Sequence, residues 1–194
     1  MEIIDLYNGK REKLNKTFIR EDGEPENGEY KLSVHVWILN SRGKFLIQKR
    51  NENLKRNPRK WAFTGGMADL GETSLEGAIR ESKEELGIDI DKDKIELLLS
   101  FKREHGFVDV WLVKDDIEIS NLVLQKSEVS EVKWVTIEEL KKLIDDELFV
   151  KSVDLYYDLF VKLLKKCHSV KWFGFELLVR ENIIAFCKIK YIKK

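Results

Sequence analysis

Gly65-Gly66-Met67-Ala68-Asp69-Leu70-Gly71-Glu72-Thr73-Ser74-Leu75-Glu76-Gly77-Ala78-Ile79-Arg80-Glu81-Ser82-Lys83-Glu84-Glu85-Leu86-Gly87-Ile88 reads as a glycine loop, a helix start, a helix dense in carboxylates and a helix stop. Thr73 and Glu76 have the spacing of a capping box: the Thr73 hydroxyl can accept from the Glu76 N–H while the Glu76 carboxylate reaches back. Gly87 stands where a left-handed residue ends a helix. Leu75, Ala78, Ile79, Ser82 and Leu86 share one arc of that helix, and Glu81, Glu84 and Glu85 share a neighbouring one. Three carboxylates on one face repel each other unless a cation sits among them. All-oxygen donors of this kind suit a hard divalent ion such as Mg²⁺.

The chain has 194 residues, room for one sizeable domain. Hydrophobic residues at 43% support a core, and charged residues at 36% exceed the usual quarter. Lys+Arg and Asp+Glu both number 35, and a net charge of zero speaks against a protein that binds nucleic acid by bulk electrostatics. Two cysteines, Cys167 and Cys187, are too few for a disulfide framework or a zinc site, and read as reduced thiols of a cytoplasmic protein. The acidic opening Met1-Glu2-Ile3-Ile4-Asp5 is not that of a signal peptide. No run approaches the ~20 apolar residues of a membrane span, so no membrane partner is expected.

Outward from the central stretch, the pattern alternates between strand and helix signals. Ile3–Tyr7 and Lys16–Arg20 are short strand candidates flanking the turn at Asn8-Gly9. Leu32–Leu39, a polar turn at Asn40-Ser41-Arg42-Gly43 and Phe45–Lys49 make a hairpin. Residues 49–60 form a basic loop, and Trp61-Ala62-Phe63 leads into the glycine loop. Beyond the acidic helix, Ile95–Phe101, Gly106–Val113 and Val129–Val135 read as strands. A second capping box, Thr136 with Glu139, opens a helix over Ile137–Ile144. Residues 148–166 show a strong helical period. The tail 170–194 is rich in Trp, Phe and Ile and is either a hairpin turning at Glu181-Asn182 or an apolar cover on a partner. Strands interleaved with helices, without a strict βαβ repeat, predict an α/β sandwich with a mixed sheet.

The central stretch resembles the Nudix box, G-x5-E-x7-R-E-U-x-E-E-x-G-U, where U is a bulky aliphatic residue. Gly66, Glu72, Arg80, Glu81, Glu84, Glu85, Gly87 and Ile88 all match. A chance match at its seven fixed letters is of order 10⁻⁸ per start position at ordinary residue frequencies. Ser82 departs from it, standing where an aliphatic residue is usual. Its hydroxyl can back-bond to the Ala78 carbonyl.

The resemblance implies a Nudix-type α/β/α sandwich and a pyrophosphohydrolase acting on a nucleoside diphosphate linked to another group, a small-molecule substrate. It implies that Glu81, Glu84 and Glu85 hold Mg²⁺ or Mn²⁺ with the Gly65 carbonyl, and that Arg80 and Glu72 brace loop against helix. Metal-assisted hydrolysis then needs a carboxylate to take a proton from the attacking water, and Glu84 and Glu85 are both placed for it. Gly66 lets the backbone approach, and Gly87 ends the helix. Residues 1–166 are expected as a single domain of this kind, with 1–31 as a β extension, and 167–194 as an apolar extension packed on the domain or on a partner, such as a second copy in a homodimer.

Residues flanking the box, His35–Asn40 and Phe45–Arg50, are similar to the Nudix branch related to isopentenyl diphosphate isomerases. Those isomerases carry a Cys and a His before the box helix, where this chain has Gly65-Gly66-Met67. An isomerase therefore stands behind a hydrolase as a reading, and a non-catalytic nucleotide-binding module is the third.

Outlying residues complete the expected site. Glu128, six residues before Trp134, has the spacing at which some Nudix hydrolases supply a further metal-binding glutamate. Asp109 alternates with Phe107 and Trp111 on a β-rich run, where an acid is costly unless paired; it is taken as a substrate-binding candidate. Arg50, at a strand end beside the basic loop, is placed to grip substrate phosphates. Trp61 and Phe63 are open to base stacking or to core packing, and His35 reads as a satisfied core histidine.

Overall fold

The computed structural model describes residues 2–151, 177–180 and 183–186. Eleven strands and two α-helices appear among them: β1 (Ile3–Tyr7), β2 (Lys13–Ile19), β3 (Lys31–Leu39), β4 (Phe45–Arg50), β5 (Trp61–Ala62), β6 (Thr64–Met67), α1 (Ser74–Leu86), β7 (Ile95–Lys102), β8 (Gly106–Lys114), β9 (Val129–Val135), α2 (Ile137–Asp145), β10 (Leu177–Arg180) and β11 (Ile183–Phe186). β1 and β2 form a hairpin of their own. The others make a mixed sheet in the order β10-β11-β7-β8-β3-β4-β5, with β6 on β3 and β9 on β4. β3 and β8 are parallel over their whole length, and the remaining pairs are antiparallel.

The two helices cover opposite faces. Val34, Val36, Ile38 and Leu46 pack with Ala78 and Leu86 of α1. Trp37, Phe45, Ile47, Val108 and Val110 pack with Leu140 of α2. Alternation along β3 sends even-numbered residues to one layer and Trp37 to the other, as period 2 requires. This is an α/β/α sandwich with a mixed sheet. Trp61 and Phe63 are buried in the α2-side core, where the Phe63 ring stacks on Trp37 with centroids 4.1 Å apart. That is packing rather than a base platform.

One feature of the sheet positions the site. β3 shares a single edge between two partners. Ser33–Val36 pairs with β6, and Ile38 and Leu39 pair with β4. The edge splits under α1, so that a β4 side chain and the β6 backbone reach the same helix face. Gly65 and Gly66, expected in a loop, are therefore strand residues facing His35 and Val34.

Three further expectations meet the structure. β2 begins at Lys13, earlier than Lys16. The helical period expected from residue 148 does not govern 148–150: Trp61 N–H donates to the Leu148 carbonyl at 2.8 Å and Val150 N–H to the Trp61 carbonyl at 2.9 Å, a short ladder. The remainder of that segment, 152–166, lies outside the described residues, as do Cys167 and Cys187. In the tail, β10 pairs with β11, and β11 adds to β7 through Ala185 opposite Phe101 and Phe186 opposite Ser100. Among the described residues no helix is long and apolar enough to cross a membrane.

Candidate active site

α1 starts and stops as its sequence dictates. The Thr73 hydroxyl accepts from the Glu76 N–H at 3.2 Å, and the Thr73 N–H donates to Glu76 Oε2 at 2.8 Å. Gly87 adopts φ 73°, and the following Ile88 N–H reaches back to the Ser82 carbonyl at 3.2 Å. Between these ends the carboxylates do not form a solvated stripe. Glu81 and Glu85 are 8% and 2% exposed, whereas the Glu84 side chain is 51% exposed. Ser82 Oγ donates to the Ala78 carbonyl at 2.8 Å, which satisfies the hydroxyl inside the apolar layer.

Glu85 lies at the split of the β3 edge. Its Oε2 accepts from Gln48 Nε2 of β4 at 2.9 Å and from the Gly65 N–H of β6 at 3.0 Å. Burial pushes its carboxyl up to about 8, the neighbouring charges of Glu81 and Glu128 add to this, and the Gln48 and Gly65 hydrogen bonds oppose it. Glu81 is pushed up to about 7, again chiefly by burial, against the pull of Arg80. Gly66 faces this carboxylate so closely that a Cβ on it would stand 2.1 Å from Glu81 Oε1.

Arg80 ties the helix to the preceding loop. Its Nε donates to Glu72 Oε1 at 2.9 Å. Nη2 donates to Glu72 Oε2 at 3.1 Å and to the Met67 carbonyl at 2.8 Å, and Nη1 to Glu81 Oε1 at 3.1 Å and Glu84 Oε2 at 2.9 Å. All five N–H groups of the guanidinium are thus used. Burial works against its charge, but Glu72, Glu81 and Glu84 outweigh that and raise its pKa well above the ordinary value. Glu72 in turn accepts from the Asp69 N–H at 2.8 Å.

The other expected residues fall at differing distances from this centre. Glu128 is half-buried at the foot of β9, its carbonyl accepting from the Asn51 N–H at 2.7 Å, and its charge acts on Glu85. Arg50 is half-buried at the end of β4, its Nε donating to the Arg56 carbonyl at 3.2 Å within the basic loop. Asp109, 1% exposed, is held by Arg11 on the β1–β2 turn and by the Ser100 hydroxyl at 2.7 Å, so both carboxylate oxygens are engaged. Burial, then the charge of Arg103, lowers the pKa of His35 to about 3, so this residue is neutral.

Sequence reasoning missed Gln48 and Arg20. Gln48, an amide interrupting the apolar run Phe45–Ile47, carries a local signal of its role. Arg20, just past β2, pairs with Glu2 and feels the charges of Glu81 and Glu128, and it carries none.

The donor set fits a hard divalent cation in chemical type: carboxylates from Glu81, Glu84, Glu85 and Glu128, two of them buried with mutually repelling charge. In this structure no three acidic, His or Cys side chains converge in coordination geometry among the described residues. Arg80 Nη1 bridges Glu81 and Glu84 instead, a cation already between two of the acids.

A sandwich whose box helix turns paired buried glutamates toward a glycine strand, with an arginine locking loop to helix, defines a hydrolase acting on pyrophosphate bonds. The chain belongs to the Nudix family: residues 29–153 match the model of the NUDIX domain. It is 42% identical over 151 residues to an uncharacterised Nudix hydrolase of Listeria innocua, lin0387, covering 77% of this chain and 89% of that protein. It is also 42% identical to the Listeria monocytogenes protein lmo0368, with the same coverage. Among solved structures it is similar to DR0079 of Deinococcus radiodurans, with a TM-score of 0.68 and 24% identity over 79% of this chain and 96% of that one. The MutT protein of Methanosarcina mazei Go1 gives a TM-score of 0.56 and 28% identity over 71% of this chain and 96% of that one.

Proposed function

We propose that the chain is a Mg²⁺- or Mn²⁺-dependent hydrolase that cleaves the diphosphate linkage of a nucleoside diphosphate derivative by attack of water at phosphorus. The observation that carries this reading is the burial of Glu85 beside Glu81, fixed by Gln48 and the Gly65 N–H at the split strand edge. Two adjacent carboxylates kept from water are costly without a compensating charge. Glu81, Glu84 and Glu85, with the Gly65 carbonyl and Glu128, would hold the ion. It would neutralise diphosphate oxygens and acidify a water. The chain's own residues do the rest. Arg80 and Glu72 keep loop and helix in register, the Gln48 amide orients Glu85, Arg50 meets the substrate phosphates, and either Glu84 or Glu85 accepts the water's proton. In this reading the enzyme is cytoplasmic and needs neither nucleic acid nor a membrane, in keeping with its zero net charge.

The test is a screen of nucleoside diphosphate derivatives with Mg²⁺ and Mn²⁺, with the products of the best substrate analysed in ¹⁸O water. Wild type should hydrolyse at least one compound and place the label on a phosphate. Glu84→Gln and Glu85→Gln should each lose activity by roughly a hundredfold or more while remaining folded. Full activity in both variants would overturn the reading.

A further inference from the structure

A cavity of about 250 Å³ lies between the β3–β4 turn, the segment that follows β8, and Trp134 of β9. It is at the far end of the sheet from the carboxylates. On the ladder that joins β4 to β9, Trp134 stands opposite Leu46, whereas Arg50 stands opposite Val129. Five residues of strand, roughly 16 Å, separate Trp134 from Val129, the neighbour of Glu128.

The walls of the cavity are tied together. Ser41 donates to Asp116 Oδ1 through its N–H at 2.9 Å and its hydroxyl at 2.8 Å. Asp115 N–H donates to the Leu39 carbonyl at 3.1 Å, and Trp134 Nε1 to the Ile117 carbonyl at 3.3 Å. Farther along the same segment, Val123 N–H donates to the Leu86 carbonyl and Gln125 N–H to the Glu85 carbonyl, both at 3.0 Å. A site held in this way is built before a ligand arrives, which lowers the ordering cost of binding.

The groups left over define the ligand. Asn40 lines the cavity and is 6% exposed. Its Oδ1 accepts from the N–H groups of Arg42 and Lys44 at 3.0 and 2.9 Å, which fixes the amide orientation and leaves Nδ2 as a donor. Among the described residues no side chain or carbonyl accepts from that Nδ2. A side-chain amide this buried, with its donor unspent on a cavity wall, calls for an acceptor inside. The half-buried ring of Trp134 and the side chains of Ile117 and Ile119 supply apolar walls. Ile119 is 38% exposed, a large apolar group that a bound ring would take out of water. Arg42 is exposed at the rim, and among the described residues its guanidinium makes no hydrogen bond or ion pair. Asp116 is engaged by Ser41, so Glu118 and Ser120 are the remaining polar groups of the rim, an acceptor and a hydroxyl.

We propose that this cavity is a second ligand site, separate from the active site, and that it takes a nucleoside monophosphate. The base lies against Trp134 and the two isoleucines with a ring acceptor on Asn40 Nδ2. Ribose hydroxyls meet Glu118 and Ser120, and the phosphate meets the guanidinium fork of Arg42 in solvent. The volume falls just below the ~300–1,000 Å³ of sites that enclose a whole drug-sized ligand, so one ring system is enclosed and the charged end stays outside, where Arg42 is. The choice of a nucleoside monophosphate rests on the reading of the chain as a nucleoside diphosphate hydrolase, since cleavage of the diphosphate linkage releases one.

The experiment titrates AMP, GMP, CMP and UMP, with ribose 5-phosphate as the control that lacks a base, into the full chain in EDTA by calorimetry. Wild type, Arg42→Ala, Ser120→Trp and Arg50→Ala are compared. Wild type should bind at least one nucleotide one-to-one, and ribose 5-phosphate at least about tenfold more weakly. Arg42→Ala should weaken the nucleotide by roughly tenfold or more, Ser120→Trp should abolish binding by filling the cavity, and Arg50→Ala should bind as wild type does. Arg42 is exposed, so its variant stays informative if Ser120→Trp proves unstable. No binding to wild type, or binding unchanged in Arg42→Ala, would overturn the proposal. Loss in Arg50→Ala would overturn it too, by placing the nucleotide in the active site. Hydrolysis with Mg²⁺ is measured on the same wild-type protein. Turnover without nucleotide binding at the cavity removes the second site alone, whereas cavity binding without turnover of any diphosphate removes the hydrolase reading and leaves the site.

Discussion

Gly65 and Gly66 are neighbours that are glycine for different reasons, and the difference is measurable. A Cβ at Gly65 would stand 2.1 Å from the Val34 carbonyl oxygen, with the backbone at φ 152°, so the obstacle is the partner strand itself. At Gly66 the obstacle is the carboxylate end of Glu81, a group that can move. Gly65→Ala should therefore cost about 2 kcal/mol or more of stability, seen in urea denaturation, because β6 must part from β3. Gly66→Ala should change stability by less than about 1 kcal/mol but lower hydrolysis by roughly a hundredfold, because Glu81 is pushed aside. The residue scale also marks where reading the sequence runs out. The Ser82 back-bond was legible, since donor and acceptor are one helical turn apart. The pairing of Asp109 was not. That a buried acid on an aromatic strand needs a partner follows from its neighbours, but the partner, Arg11, lies 98 residues away.

At the scale of elements, α1 was legible because everything that defines it is local: Thr73 and Glu76 at one end, Gly87 at the other, and the glutamates between. β6 was not, because Thr64-Gly65-Gly66-Met67 has the composition of a loop and becomes a strand only by pairing with β3. A helical period likewise ran through residues 148–150, which instead pair with Trp61. The β1–β2 hairpin shows what a long-range tie does for an element. Arg11 reaches from its turn to Asp109 and Ser100 on the main sheet, and Arg11→Ala would leave the buried Asp109 charge with the Ser100 hydroxyl but no cation to balance it. The expected loss is about 2–3 kcal/mol, discounted from a fully buried pair because Arg11 is 31% exposed. The double variant Arg11→Ala/Asp109→Asn should regain part of it, since the stranded charge is gone. Urea denaturation of the three proteins checks the order. KM separates this structural role of Asp109 from substrate binding: Asp109→Asn should leave KM unchanged.

For the molecule as a whole, the buried acids make stability a function of pH and of metal together. Glu85 and Glu81 have folded-state values of about 8 and about 7 against an ordinary 4.5, mainly because burial penalises their charged forms. The native state therefore holds protons that the unfolded chain has released. By linkage, stability is fully present below about pH 4.5 and is lost as pH rises through the folded values, the loss levelling off near pH 8. Carboxylates elsewhere that are lowered by partners, such as Glu76 in its capping box, act in the opposite sense, but only at lower pH, around and below their unfolded values. Above about pH 5 the buried pair should dominate the trend, so the metal-free protein in EDTA should melt at progressively lower temperature from about pH 5 to about pH 8. A divalent ion binds the deprotonated acids and competes with those protons. The rise in melting temperature on adding millimolar Mg²⁺ should therefore be small near pH 5 and largest near pH 8, with protons released on binding. Glu85→Gln removes the group with the larger shift, and should flatten the EDTA curve and shrink the Mg²⁺ increment together. A metal increment independent of pH in wild type would show that the ion binds away from these carboxylates.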